Sequence, residues 1–248
     1  MHYSRSFSGY IWKIRLDQPS GKVWVEMRDE AAFEMSLFCI DVKLKKDLQI
    51  SFDPALGWWD NLSYVYDDIV VIQRITDTKN PGPADVWIVD SRNNETIKRI
   101  QHVQIDGYQD GTIYFSQKDN VKNDLQFTFK EDGNLTQQLV NLPAIYPEGH
   151  DHNQLVVRFL LGRNITSVGP VGYFEKDQHI IISYHIKSDR SFNRYLIWLH
   201  QGIEVLHEMI DEEMKGYSHE SFFTFGNYLI FIKNRKHLLI YNLNNEHN

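Results

Sequence analysis

The sequence predicts an all-β chain folded as a single β-propeller of about five blades, six being the alternative count, with the ring closed by the N-terminal strand. Three observations predict it. Four stretches share one template of apolar strand, polar loop, second apolar strand and turn; they open at Val23, Ile69, Ile180 and Tyr228, and a fifth fits more loosely from Thr112. The template recurs at roughly 45 residues, the spacing of blades made from short strands. Helical periodicity is almost absent, while β-branched and aromatic runs such as IVVIQRI, IIISYHI and YLIFI stand between turn residues.

Taken in order, GYIWKIRLD (Gly9–Asp17) is a strand that precedes the first template. The last unit supplies SFFTFGN, YLIFIKN and HLLIYNL but no outer strand. An open ring would leave unpaired sheet edges, so Gly9–Asp17 is expected to complete the last blade. Turn residues punctuate the rest at Asp17–Gly21, Ser91–Asn94, Glu131–Asn134 and Gln201-Gly202. The widest gap between templates, from Thr112 to Ile180, holds QLVVRFLLGRN (Gln154–Asn164), read as one further strand of a degenerate blade. Ile203–Met214, IEVLHEMIDEEM, is the best helical candidate. Its first half also fits a strand running to Met209, with a short helix or acidic turn over Asp211–Met214. The loop Asp77–Asp85 (DTKNPGPAD) reads as a long blade loop, not a linker, so residues 1–248 are expected to form one domain.

A chain of 248 residues suits one large all-β domain, and a hydrophobic share of 42% with 13% aromatics can fill its core. The net charge is −7 with no basic stripe, which argues against nucleic acid, because phosphate neutralisation dominates that affinity. Lys43, Lys45 and Lys46 read as a solvated turn. Cys39 is the single cysteine; set in SLFCIDV, it is expected to be a buried, inert thiol, in keeping with a reducing compartment. The N-terminal segment has no apolar h-region or cleavage site, and no apolar run approaches ~18 residues. The expectation is a cytoplasmic protein without a membrane span.

The repeats carry no Gly-His…Trp-Asp signature. The opening IWKIRLDQPSGKVWVEMRD resembles one blade of quinoprotein-type propellers, in which a Trp-bearing strand is followed by a turn and Gly-Lys-Val. The chain as a whole resembles an uncharacterised Bacteroidetes family, a domain of unknown function. The matching features are Glu26-Met27-Arg28-Asp29, the Trp58-Trp59 pair, and the loop Asn80–Pro83 before Val86-Trp87-Ile88-Val89-Asp90. This resemblance covers most of the chain and implies a propeller fold without an activity. No residue set matches a quinone site, so no cofactor is expected.

Three constellations carry candidate chemistry. Glu26, Arg28 and Asp29 lie at one strand end; Glu26 and Arg28 share a face, where a carboxylate beside a guanidinium could orient a polar ligand. The competing reading is an ion pair that ties neighbouring blades. Trp58, Trp59 and Asp60 follow at a blade junction, where an exposed indole could stack on a sugar or another flat ligand; packing between blades is the competing role. His150 and His152, beside Glu148 and Asp151, have the residue types of a zinc or other divalent site, against a reading as a solvated loop. Gly-x-Ser-x-Gly and Ser-x-x-Lys are absent, and Gly169-Pro170-Val171-Gly172 is a turn, not a phosphate loop. A glycosidase with paired carboxylates would leave no local motif.

The leading functional reading is a non-catalytic interaction module that holds a protein partner or a small polar ligand with loops around the central channel. The alternative is a hydrolase or lyase acting on a carbohydrate-like substrate, with a metal near His150 and His152. A scaffold without a small ligand is the third reading.

Overall fold

The structure, a computed structural model, describes residues 1–75, 83–109, 111–117, 120–129, 140–218 and 221–244, with 120–125 described by their backbone alone. Among these residues it is mostly β, with one helix. The expected loop Asp77–Asp85, the Asn80–Pro83 segment and the Glu131–Asn134 turn fall wholly or largely outside the described residues. The chain divides into two compact units, Phe7–Gln138 on one side and Met1–Ser6 with Leu139–Asn248 on the other.

The first strand, β1 (Tyr3–Ser6), belongs to the second of these units. The Phe7–Gln138 unit opens with an antiparallel meander of β2 (Tyr10–Asp17), β3 (Lys22–Asp29), β4 (Glu34–Asp41) and β5 (Lys46–Ile50). Every interior residue of β3 is buried, as expected of a strand covered on both faces. The β2–β3 turn is the predicted Asp17–Gly21 segment, with Gly21 at φ +71°, a conformation that glycine adopts without a Cβ clash. A second sheet follows: β6 (Asn61–Tyr66), β7 (Ile69–Arg74), β8 (Ala84–Asp90), β9 (Glu95–Gln109), β10 (Thr112–Gln117) and β11 (Asn120–Thr128), paired in sequence order. The 15-residue β9 pairs with β8 along its first part and with β10 along its last. It therefore closes one meander and opens the next. Trp24, Leu37, Leu62, Val70 and Ile72 form the core between the first two meanders, each fully or almost fully out of water. Each such side chain contributes ~1.5–3 kcal/mol of burial.

In the other unit, the short strands β12 (Val140–Asn141) and β13 (Ala144–Tyr146) precede α1 (Asp151–Leu161). Then come β14 (Val168–Lys176), β15 (His179–Ser188), β16 (Ser191–His200), β17 (Ile203–Met214), β18 (Phe222–Phe225), β19 (Tyr228–Lys233) and β20 (His237–Asn242). One sheet runs β13-β14-β15-β16-β17 and the other β1-β20-β19-β18-β12. Two-residue turns with both φ positive, Asp177-Gln178 and Gln201-Gly202, join β14 to β15 and β15's partner β16 to β17. This is the twist that tight hairpins require.

All five template openings are strands: Val23 in β3, Ile69 at the start of β7, Thr112 of β10, Ile180 in β15 and Tyr228 of β19. Three expectations are corrected. The last sheet does gain an outer strand from the N-terminus, but it is Tyr3–Ser6, whose Tyr3 faces Ile240 and Ser6 faces His237. Gly9–Asp17 instead supplies β2, bonded to β3. Gln154–Asn164 is not a strand: most of it lies in α1, which turns Asn153, Val156 and Leu160 inward at helical spacing. Ile203–Met214 is a strand throughout, and its three register shifts against β16 break the two-residue alternation that would have marked it.

Candidate functional site

Five of the six predicted ligand residues lie together in the Phe7–Gln138 unit. On β3, Glu26 and Arg28 point to the same side, as their spacing dictates, but that side is covered: Glu26 is fully buried and Arg28 nearly so. Arg28 donates to Glu26 Oε1 from Nε (3.0 Å) and Nη2 (2.6 Å). It also donates to the backbone carbonyls of Trp58 and Asp60, the latter at 3.0 Å. Glu26 Oε2 accepts from the Leu62 amide at 2.9 Å, with Lys13 Nζ 3.9 Å away. Strand β3 is thus bolted to the segment that enters β6. At the other end of the same strands, the Asp17 carboxylate accepts from the amides of Asp67 and Asp68, both at 2.8 Å, and Lys22 donates to Asp68. The two meanders are tied at both ends by buried polar groups, each with its hydrogen bonds made.

Asp60 belongs to this frame. Its Oδ2 accepts from the Gly57 amide (2.8 Å) and Arg74 Nε (3.1 Å), and Arg74 reaches on to the carbonyls of Pro54 and Ala55. Burial pushes the Asp60 carboxyl up, against the lowering effect of Gly57 and Arg74. Asp29 stands apart from the cluster: its Oδ1 accepts from the amides of Ala31 and Ala32, closing the β3–β4 turn.

What reaches the surface is aromatic. The guanidinium of Arg28 lies 5.0 Å from the Trp12 ring centroid and 5.5 Å from that of Trp58. Phe33 stacks on Trp58 at 5.0 Å with only 8° between the planes, and Trp59 stands near-perpendicular to Phe33 at 6.2 Å and 80°. Trp12, Arg28, Trp58 and Phe33 therefore form a column, with Trp59 at its corner. Trp12, Phe33 and Trp59 are 54%, 55% and 48% exposed, far more than aromatic rings that serve only as packing.

Two local departures from regular structure build the column. The register of β2 on β3 slips between Ile11 and Lys13, which leaves Trp12 as the extra residue of a bulge and re-aims its ring. Phe33 sits at φ +57° in the β3–β4 turn, a conformation unfavourable for a bulky side chain. Neither Trp12 nor Phe33 was singled out from the sequence. A bulge has no residue signature; an aromatic inside the otherwise acidic turn Asp29–Glu34 was a visible signal. Gly9 completes the setting, because a Cβ there would collide with the Arg28 carbonyl and Met27.

His150 and His152 lie in the other unit, at the start of α1. His150 is the N-cap: its Nδ1 accepts from the His152 amide at 3.2 Å. Both imidazoles stack on Tyr146, at 5.0 and 4.7 Å, and lie 5.5 Å from each other. Among the described residues no three His, Cys, Asp or Glu side chains are grouped to hold a metal ion. Beside the helix runs a cleft of about 290 Å³, lined by Glu148, Asn153, Val157, Arg158 and Ser167 among others. Asn153, almost wholly buried, spans it by donating to the carbonyls of Tyr146 and Gly169.

Fold and site together define an all-β chain whose clearest surface feature is an aromatic column on a buried ionic frame. No protein-family model matches the chain, and a search of curated proteins finds no match either. Among the described residues no helix is long and apolar enough to cross a membrane.

Proposed function

We propose that the protein is a non-catalytic β-propeller module that binds its partner through the Trp12, Phe33 and Trp59 surface. Four antiparallel sheets support the propeller reading, the six-stranded one holding two recurrences of the template, at Ile69 and Thr112, and the other three one each. So does the pairing of Tyr3–Ser6 with the last strand, the form of closure that a ring of blades needs.

The observation that carries the binding reading is the exposure of three large aromatics on one rigid frame. Aromatic side chains lose little entropy when they bind and supply large contact areas. The frame beneath them leaves few polar groups for chemistry. Both Glu26 oxygens and the Asp60 carboxylate are engaged by Arg28, Leu62, Gly57 and Arg74. A hydrolase of the paired-carboxylate kind needs two acids facing substrate, which favours binding over the hydrolase or lyase reading here.

The test is thermal unfolding of the wild type and of Trp59→Ala against a panel of oligosaccharides, nucleotides, organic acids and peptides. A ligand at a hundred times its Kd adds about 2.7 kcal/mol, or roughly 5–10 °C for a chain of this size. A shift that vanishes in Trp59→Ala supports the reading. A shift that survives in Trp59→Ala, Trp12→Ala and Phe33→Ala alike places the site elsewhere and defeats it.

A further inference from the structure

The column already shows which chemical group its rings accept. The guanidinium of Arg28 lies over both the Trp12 and the Trp58 ring. The same solution recurs in this unit at Trp87, which has the Arg74 and Arg99 guanidiniums 4.6 and 3.8 Å from its ring centroid. Planar, weakly hydrated cations suit aromatic faces, and Arg suits them better than Lys. Resting on the binding reading above, we propose that the open end of the column, the corner between Phe33 and Trp59, takes an arginine side chain of a partner protein.

Charge points to that end and not to the other. Around Trp12 the neighbouring groups are cationic: Lys13 follows it in the strand and Arg28 lies against its face. Phe33 instead belongs to the turn Asp29–Glu34, which carries Asp29, Glu30 and Glu34. Glu34 is bridged through its backbone to Gly57, one residue before Trp58, so its strand end lies directly beside the Trp58-Trp59 segment. Glu30 and Glu34 are exposed and make no ion pair among the described residues. Asp29 is tied to the turn amides. Two near-perpendicular rings, one of them carried on the turn that also holds Glu30 and Glu34, offer a stacking face and, from the same turn, negative charge for one incoming guanidinium.

A polypeptide suits this corner better than a free small cation. Phe33 and Trp59 are each about half exposed, so they would leave a small molecule largely in water, where little affinity is gained. An arginine on a chain adds contacts on either side of it. The turn carries Phe33 at φ +57°, the conformation that Lys45 and Asn94 take in the equivalent turns, and the ring it presents lies against Trp58.

The experiment is a fluorescence anisotropy titration at low ionic strength of the full chain with a labelled arginine–glycine repeat peptide. A lysine–glycine peptide of equal charge and a neutral oligosaccharide serve as comparators. The expected result is saturable binding of the arginine peptide, weakened about tenfold by Trp59→Ala and by Phe33→Ala, and several-fold by Glu30→Gln with Glu34→Gln. Circular dichroism of each variant checks that it is folded, and the two Glu→Gln changes keep the rings in place if an aromatic variant is not. Equal binding of the lysine peptide, or binding unchanged by Trp59→Ala and Phe33→Ala, would mean attraction to the net charge of −7 alone and overturns the proposal. Oligosaccharide binding that depends on Trp59, with no arginine preference, overturns the cation while leaving the binding surface standing. Absence of saturable binding by the arginine peptide also overturns it.

Discussion

Replacing Glu26 by Gln tests the buried frame and, through it, the surface it carries. Glu26 is fully buried and accepts three hydrogen bonds, two from Arg28 and one from the Leu62 amide. The amide in Gln keeps the shape but removes the charge, and one of its ends becomes a donor facing either a guanidinium or a backbone N–H. With the amide nitrogen toward Arg28, the guanidinium keeps only the carbonyls of Trp58 and Asp60; in either orientation it lies buried without its countercharge. Breaking one side of such a pair costs about 3–5 kcal/mol. At 2–4 °C per kcal/mol, the melting temperature should fall by roughly 6–20 °C. Urea unfolding followed by tryptophan emission is the assay, because Trp12, Trp24, Trp58, Trp59 and Trp87 all lie in the Phe7–Gln138 unit and only Trp198 lies outside it. The double variant Glu26→Leu with Arg28→Met should be less destabilised than the sum of its single changes, since it leaves no orphaned charge. A loss under about 1 kcal/mol for Glu26→Gln, or strict additivity of the pair, would refute the reasoning.

Three further outcomes are expected. Deleting Met1–Ser6 removes the partner of β20 and bares its edge, so the truncated chain should aggregate or unfold at lower urea; a monomer with an unchanged transition by size exclusion and circular dichroism would contradict the pairing. Burial pushes the Cys39 thiol up to about 12, so on the order of one thiol in ten thousand is ionised at pH 8; labelling with a disulfide reagent should be slow in the native protein and fast in urea, and native labelling at the rate of a free thiol would contradict it. Burial, with a smaller effect from His200, lowers the His179 pKa below its usual 6.5, so the unfolded chain binds a proton that the folded one refuses; stability should fall as pH drops through about 6.5, and His179→Gln should flatten that decline in pH-dependent melting curves.

The strands were legible because their reason is local. Runs such as IVVIQRI and YLIFI are β-branched or aromatic and bounded by turn residues, and they became β7 and β19. Where the local signal was ambiguous, tertiary packing decided. LVVRFLL is an apolar run that fits a buried strand or a buried helix equally well by composition. The His150 cap and the core formed by Val156, Leu160, Val171 and Tyr184 select the helix. In β17 the opposite happened: Ile203, Leu206 and Ile210 mimic helical spacing, yet the segment pairs along β16 with three register shifts and leaves Ile203 exposed. The pairing of Glu26 with Arg28 followed from alternation alone, but its burial did not, since charged residues mostly face water.

The column of rings was half legible, and the missing half is informative. Trp58 and Trp59 were visible because two adjacent indoles are conspicuous in any sequence. Trp12 and Phe33 were not, because each reaches its place by breaking a rule that sequence reading depends on: Trp12 through a bulge that cancels strand alternation, Phe33 through a left-handed backbone that aromatic residues avoid. The left-handed position is one the hairpins use elsewhere, at Lys45 and Asn94, but only at Phe33 does an aromatic ring occupy it. Natural sequences violate local rules chiefly at functional sites, where the cost is offset by the surrounding structure. Here that surrounding structure is the Glu26–Arg28 frame. Its guanidinium lies against both Trp12 and Trp58, so the most buried ion pair and the most exposed rings of this unit form one assembly. A change that loosens the pair should therefore weaken the binding proposed for a surface that Glu26 never touches.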